Sequence, residues 1–330
     1  MKIPLLQIAL LIFQISHSQS DSFKAPGRLV NVGGHRLHLF IQGKGSPTVV
    51  MENGSGDFSF IWSLVQPKVS KFTRTVSYDR AGYAWSEAGP VPRTDKQITW
   101  ELHKALHSAG IQPPYILVGQ SYGGFLVRAF ARYYPDEVAG MVLVEAVNEN
   151  ARIIIGGNPM RIREFSKGRT APEIQQSLFK DSRTTYSKAV IKLDTSIEFP
   201  LDRLPSSQQQ WQRWAQNQST FRSTVDSEMT WSPEDVQRLY INKENPAYKL
   251  GAIPLIVLTR GSGGYNGRSD SAELEQERFS QQEELSHLSS NSKWVIDKNS
   301  GHNIHLEDPN LVIRSIGEVV EAVRRHKKLK

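Results

Sequence analysis

Short apolar runs alternate along the chain with longer segments of helical period, and that alternation predicts the elements. Leu29–Val32 and His35–Gln42 read as two strands joined across Gly33-Gly34, an N-terminal hairpin. Thr48–Glu52 and Thr73–Tyr78 are short strands that end in Asn53-Gly54-Ser55-Gly56-Asp57 and in Asp79-Arg80-Ala81-Gly82-Tyr83. Asp95 opens a helix through Ala109, with Ile98, Leu102, Ala105 and Leu106 on one face and Gly110 as its stop. Tyr115–Val118 is a strand that runs into Gly119, and Phe125, Leu126, Ala129 and Phe130 then recur at helical spacing. Gly140–Val144 is the next strand, so one strand–helix–strand unit makes the two strands parallel neighbours. After an intervening segment the alternation returns: a strand at Ile253–Thr259, a helix over Ala272–Leu288, a strand at Lys293–Ile296 and a final helix from Asp308 to Arg325. Strands and amphipathic helices in this order predict an α/β fold whose sheet is mostly parallel, with helices on both faces.

Between Ala151 and Tyr248 the texture changes. Glutamine, serine and arginine rise, strand signals fade, and Trp211, Trp214, Phe221 and Trp231 appear at roughly helical spacings. We read a mostly helical insertion whose aromatic residues pack against the remainder. Residues 1–20 are set aside: Lys2, the apolar run Ile3 to Ile15, then small and polar residues have the order of a secretory signal peptide. The division expected is therefore 1–20 signal peptide, 21–150 and 251–330 core, and 151–250 helical cap. A secreted or periplasmic protein without stable membrane insertion after cleavage is the expectation, and an uncleaved anchor is the alternative, although the apolar run is short for a membrane span. With 330 residues, 38% of them hydrophobic, the chain can bury a substantial core and an insertion. The net charge of +7 collects partly at the C-terminus, and no basic stretch is interleaved with stacking aromatics, so nucleic acid is not an expected partner. No cysteine is present, and no disulfide contributes.

The chemistry centres on Tyr115–Gly124. Gly119-Gln120-Ser121-Tyr122-Gly123 sits at a sharp strand-to-helix turn, which thrusts Ser121 outward and leaves no room for side chains at Gly119 and Gly123. The helix that follows aims its N–H groups and positive dipole end at whatever charge develops there. Ser121 is the candidate nucleophile. A serine needs a base, and functional residues of an open parallel sheet gather at the carboxyl ends of its strands. His302, in Ser300-Gly301-His302 directly after the last strand, is the candidate base, with His305 a weaker second. His103 and His107 have an i,i+4 spacing that could hold a metal. They lack a nearby acidic ligand pattern, so they read as a solvated helix face. Asp79 and Arg80 read as an ion pair that holds their turn.

From Leu29 to the C-terminus the order of elbow serine and late histidine resembles the α/β-hydrolase superfamily, the kind with one catalytic domain and a helical cap. Tyr78–Tyr83, Gly119–Gly124, Tyr134–Val138 and Ser300–His302 each resemble segments common in it. The resemblance implies the α/β-hydrolase fold and a Ser-His-acid triad, with no cofactor and no metal. It also implies an oxyanion hole built from backbone N–H groups, here those of Tyr122 and Ser55. Two departures stand out. Many members carry His-Gly where this chain has Asn53-Gly54-Ser55, and Asn53 is a candidate for ordering that loop. The usual place for the acid, after the penultimate strand, holds Thr259–Gly264 and no carboxylate; Asp270 is the first. A minority of the superfamily puts the acid after the strand that follows the elbow, and Glu145 stands there. Glu145 is the expected acid and Asp270 the alternative, with Asp297 and Glu149 behind them.

The expected function is hydrolysis of a small-molecule carboxylic ester through an acyl-enzyme. Amide or peptide cleavage of the prolyl-aminopeptidase-like kind is the first alternative. A non-catalytic binding protein on the same scaffold is the second.

Overall fold

The computed structural model describes residues 23–176, 196–245, 248–261 and 263–329. The leader expected over residues 1–20 lies outside the described residues. Eight strands form one sheet: β1 (Arg28–Asn31), β2 (Arg36–Gln42), β3 (Thr48–Glu52), β4 (Thr75–Tyr78), β5 (Tyr115–Gln120), β6 (Val138–Val144), β9 (Leu255–Arg260) and β10 (Ser292–Asp297). Two further strands, β7 (Arg152–Ile155) and β8 (Asn158–Arg161), pair as a separate antiparallel hairpin. The large sheet has the order β1-β2-β4-β3-β5-β6-β9-β10, with only β1–β2 and β2–β4 antiparallel. The helices are α1 (Gln66–Val69), α2 (Asp95–Ser108), α3 (Tyr122–Tyr133), α4 (Ser206–Gln216), α5 (Ser219–Ile241), α6 (Ser271–Ser286), α7 (Ile304–Glu307) and α8 (Pro309–Arg325).

The apolar runs are buried on both faces because side chains alternate across a pleated strand. Leu117, Leu143 and Val257 point to the face covered by α2, α3 and α6, through Leu102, Leu106, Phe130 and Leu285. Ile116, Val118, Val142, Val144, Ile256 and Leu258 point to the face covered by α8, through Val312, Ile316, Val319 and Val320. Thr94 caps α2, its side chain accepting from Gln97 N, and Asp308 caps α8 by accepting from Leu311 N.

The segment between β6 and β9 departs from a purely helical insertion. It opens with the β7–β8 hairpin, turned by Gly156 and Gly157 at φ 56° and 83°, and then carries α4 and α5. The aromatic residues pack on the core as expected: Trp211, Trp214 and Phe221 join Phe58, Phe60, Tyr83 and Trp85. Trp231 does not join them; the Arg169 guanidinium lies over its ring at 4.0 Å. Long α5 docks through a polar face. Thr224, Glu228, Ser232 and Asp235 are buried at helical spacing, and Asp235 accepts a hydrogen bond from Asp95 N at 2.8 Å.

Candidate active site

Parallel strands β3, β5, β6, β9 and β10 bring five loops to one edge of the sheet, and the candidate residues lie on these loops. Ser121 is the residue before α3 and holds φ 53°, ψ −121°, a left-handed region unusual for a residue with a side chain. Several bonds fix it there. Its N–H donates to Val144 O, and its carbonyl accepts from Gly124 N and Val147 N. A Cβ on Gly123 would stand 2.6 Å from both Asn53 O and Glu52 O, so the elbow and the loop after β3 touch backbone to backbone. A Cβ on Gly54 would lie 3.4 Å from Ser121 Cβ and 2.8 Å from Asp57 Oδ2. Tyr122 is the first residue of α3, so its N–H precedes the first intrahelical acceptor. The Ser55 N–H has no acceptor among the described residues.

Arg80 holds the loop after β3. It is fully buried; Nη1 donates to Asn53 O and Nη2 to Gly54 O, each at 2.9 Å. The same guanidinium pairs with Glu52 at 2.8 Å and with Glu228 of α5 at 2.9 Å, so it also ties the insertion to the sheet. Tyr78 and Tyr83 donate their hydroxyls to Glu52 and Glu228. Arg80 and Asp79 are therefore not partners of each other: Asp79 accepts from Ser59 N and faces His38 Nδ1, both at 2.7 Å. Asn53 orders its loop as expected, its amide donating to Tyr78 O at 2.8 Å. Burial pushes the Asp57 carboxyl up to about 6, against the opposing pull of Arg80. The sequence places Asp57 in the right loop but carries no sign of that burial.

His302 stands after β10 on a loop fastened from both sides. Glu307 accepts from Gly301 N at 2.9 Å and from Asn303 N at 3.3 Å, while Gln120 Nε2 reaches His302 O at 3.4 Å. Gln120 precedes Ser121, so elbow and histidine loop are joined directly. The imidazole is open to solvent at one side, yet desolvation lowers its pKa from the ordinary value, with Glu145 opposing and Arg260 and Arg278 reinforcing the fall. No hydrogen bond joins the His302 ring to Ser121 or to any carboxylate among the described residues. Such bonds are often long without substrate and tighten in the complex.

The two candidate acids are both engaged elsewhere. Glu145, itself at φ 45°, accepts from Arg260 N at 2.8 Å, Arg260 Nε at 2.9 Å and Arg278 Nη1 at 3.0 Å. The cost of placing a carboxylate beside an apolar strand is thus met by two arginines rather than by the histidine. Asp270 pairs with Arg268 at 2.7 Å and is not among the largest influences on His302. Asp297 accepts from Ser300, and Glu149 from Arg128 and Tyr248.

His305 lies wholly inside, its ring 4.8 Å from that of Trp62, and neither of its nitrogens has a hydrogen-bond partner among the described residues. Burial lowers its pKa to about 3. An unfolded chain protonates this residue below about pH 6.5 while the folded one does not, so stability should fall by about 1.4 kcal/mol per pH unit from there toward pH 3. Urea unfolding at pH 6.5 and 5 should therefore differ by about 1.7 kcal/mol more in the native chain than in a His305→Leu variant. Equal pH slopes in the two proteins would show that the buried imidazole is not the source.

The sequence model of the alpha/beta hydrolase fold matches residues 47–309. The chain belongs to the α/β-hydrolase family. An AB hydrolase superfamily protein of Gibberella zeae is 24% identical to this hydrolase over 84% of its chain and 87% of the relative. The probable transporter efuK of Hormonema carpetanum is 32% identical over 141 residues, and there the hydrolase spans only 20% of the relative's length. Among solved structures, the epoxide hydrolase CorEH and a thermophilic esterase from Thermogutta terrifontis each superpose with TM-score 0.61 at 17% identity, covering 90% of this chain and 99% of theirs. At that identity the likeness is one of fold.

Proposed function

We propose that this α/β hydrolase cleaves carboxylic esters of small molecules with Ser121 as nucleophile and His302 as base. The observation that carries the reading is the strained backbone of Ser121, held at φ 53° where α3 begins and backed by the loop that contains Ser55. Strain of this kind costs on the order of 1–3 kcal/mol and persists where it aims a reactive group. Ser121 Oγ attacks the ester carbonyl and its proton passes to His302. The N–H groups of Tyr122 and Ser55 receive the charge on the carbonyl oxygen. His302 returns the proton to the departing alcohol, and water, activated by the same imidazole, releases the acid from Ser121. A serine at the elbow supports acyl transfer, because its hydroxyl can form an ester with the acyl group that water then cleaves. Amide cleavage is the second reading within the same chemistry, and an ester panel of graded acyl length run beside aminoacyl amides separates the two.

Glu145 is the acid of this proposal, acting on His302 through its charge. Of the carboxylates around the imidazole it is the strongest in raising the pKa. The acid limb of kcat/KM should lie below pH 6.5, because desolvation lowers His302 and a base stays neutral down to its pKa. Glu145→Gln should move that limb further down, since the charge that raises His302 is lost, and should lower kcat about 100-fold or more. Asp270→Asn should change neither. Asp57 titrates in the same window, so the profiles are also read with Asp57→Asn as background. A limb shifted by Asp270→Asn and not by Glu145→Gln would transfer the role to Asp270.

A further inference from the structure

His103 and His107 stand one turn apart on α2, and the fold brings a carboxylate from another element within reach of both rings. Glu137, in the 3-10 turn Pro135–Glu137 between α3 and β6, places Oε1 3.0 Å from His103 Nε2 and 3.2 Å from His107 Nε2. The three side chains come together because α2 packs along α3 and the chain reverses at Tyr134-Pro135. Two imidazoles thus converge on one carboxylate oxygen, with ring centroids 4.3 Å apart. The His103 ring is held flat against Tyr134 at 3.9 Å, which sets the direction of its Nε2. The second oxygen, Glu137 Oε2, is buried and has no hydrogen-bond partner among the described residues.

We propose that His103, His107 and Glu137 form a site for a divalent transition-metal ion, one that clips α2 to the start of β6. Two imidazoles and a carboxylate suit zinc, nickel or cobalt, whereas magnesium and calcium call for oxygen ligands throughout. Ligand atoms around a tetrahedral zinc at about 2.0–2.1 Å stand about 3.3 Å from one another. The two N–O separations fall within a few tenths of that, and all three donor atoms lie within 4.8 Å. The three side chains are each between 20% and 36% exposed, so an ion can enter and water can complete its shell. His107 is in the last turn of α2, where the negative end of the helix dipole favours a cation.

The place in the fold assigns the ion a structural part. Glu137 precedes the first residue of β6, and Ser121 lies at the opposite edge of the sheet, roughly 23 Å away along a seven-residue strand. The clip joins residues 30 and 34 positions apart in sequence.

The test uses tag-free full-length protein stripped by a chelator and then titrated with zinc, nickel, cobalt or magnesium chloride. Zinc, nickel and cobalt should each raise Tm by a few degrees with one ion per chain, and magnesium should not. Cobalt should add visible absorption characteristic of a tetrahedral site. The readout in variants is the metal-dependent shift, so that a lower starting Tm does not confuse the result. Glu137→Gln, which keeps the packing, and His107→Ala should each abolish the shift and the cobalt bands. A wild-type chain that neither shifts nor colours, or a shift that survives in both variants, would overturn the proposal and leave a hydrogen-bonded histidine–glutamate cluster.

Discussion

Ser121→Ala is expected to lower ester turnover by 10³-fold or more while the protein stays folded. The size follows from the role: without the nucleophile no acyl-enzyme forms, and only binding and the backbone donors are left to act on water. The fold should survive because Ser121 Oγ makes no hydrogen bond among the described residues and alanine faces the same penalty as serine at φ 53°. The stability change should then lie within about 0.5 kcal/mol. Turnover of p-nitrophenyl butyrate and urea unfolding, measured on one preparation, check both halves. A folded variant that keeps its activity would remove Ser121 from the reaction.

Arg80→Met should cost about 3–5 kcal/mol of stability. Arg80 is buried between Glu52 and Glu228, so its removal strands two carboxylates away from water, and burial already pushes Glu52 up. The loss should reach catalysis as well. Asn53 O and Gly54 O lose their donors, and the loop that carries the Ser55 N–H is freed beside Ser121. Arg80→Lys should recover little, because an ammonium cannot reproduce a fork that meets two carboxylates and two carbonyls together. Denaturant midpoints and kcat at a pH where the variants are folded give the answer. A change under about 1 kcal/mol with normal kcat would mean that the network can be dispensed with.

What the sequence made legible follows from where the information lies. Strand β3 and the core of β5 stand out because both faces of their strands are buried and their apolar runs are unbroken. The elbow and His302 are local signals, a glycine-flanked serine after one strand and a glycine–histidine after another. Helix α5 is faint because the face it buries is polar: Thr224, Glu228 and Asp235 are buried, Glu228 and Asp235 are bonded to Arg80 and Asp95 of the core, and a search for apolar period passes over them. The β7–β8 hairpin had its sign in Gly156-Gly157, but the surrounding arginine and asparagine obscured it. The partners of Glu145 were out of reach, since Arg260 and Arg278 are 115 and 133 residues away in sequence. Glu137 escaped for the same reason. A ligand set assembled from two elements has no spacing to read.

Acylation of Ser121 is the step on which turnover depends, and a fluorophosphonate, which phosphonylates an activated serine, reports on it without a substrate. The native chain should take up one phosphonyl group, peptide mass mapping should place it on Ser121, and ester turnover should fall in step with the label. Ser121→Ala should take up none. A chain that hydrolyses esters and stays unlabelled, or one whose activity is lost through a label on another residue, would mean that Ser121 is not the nucleophile.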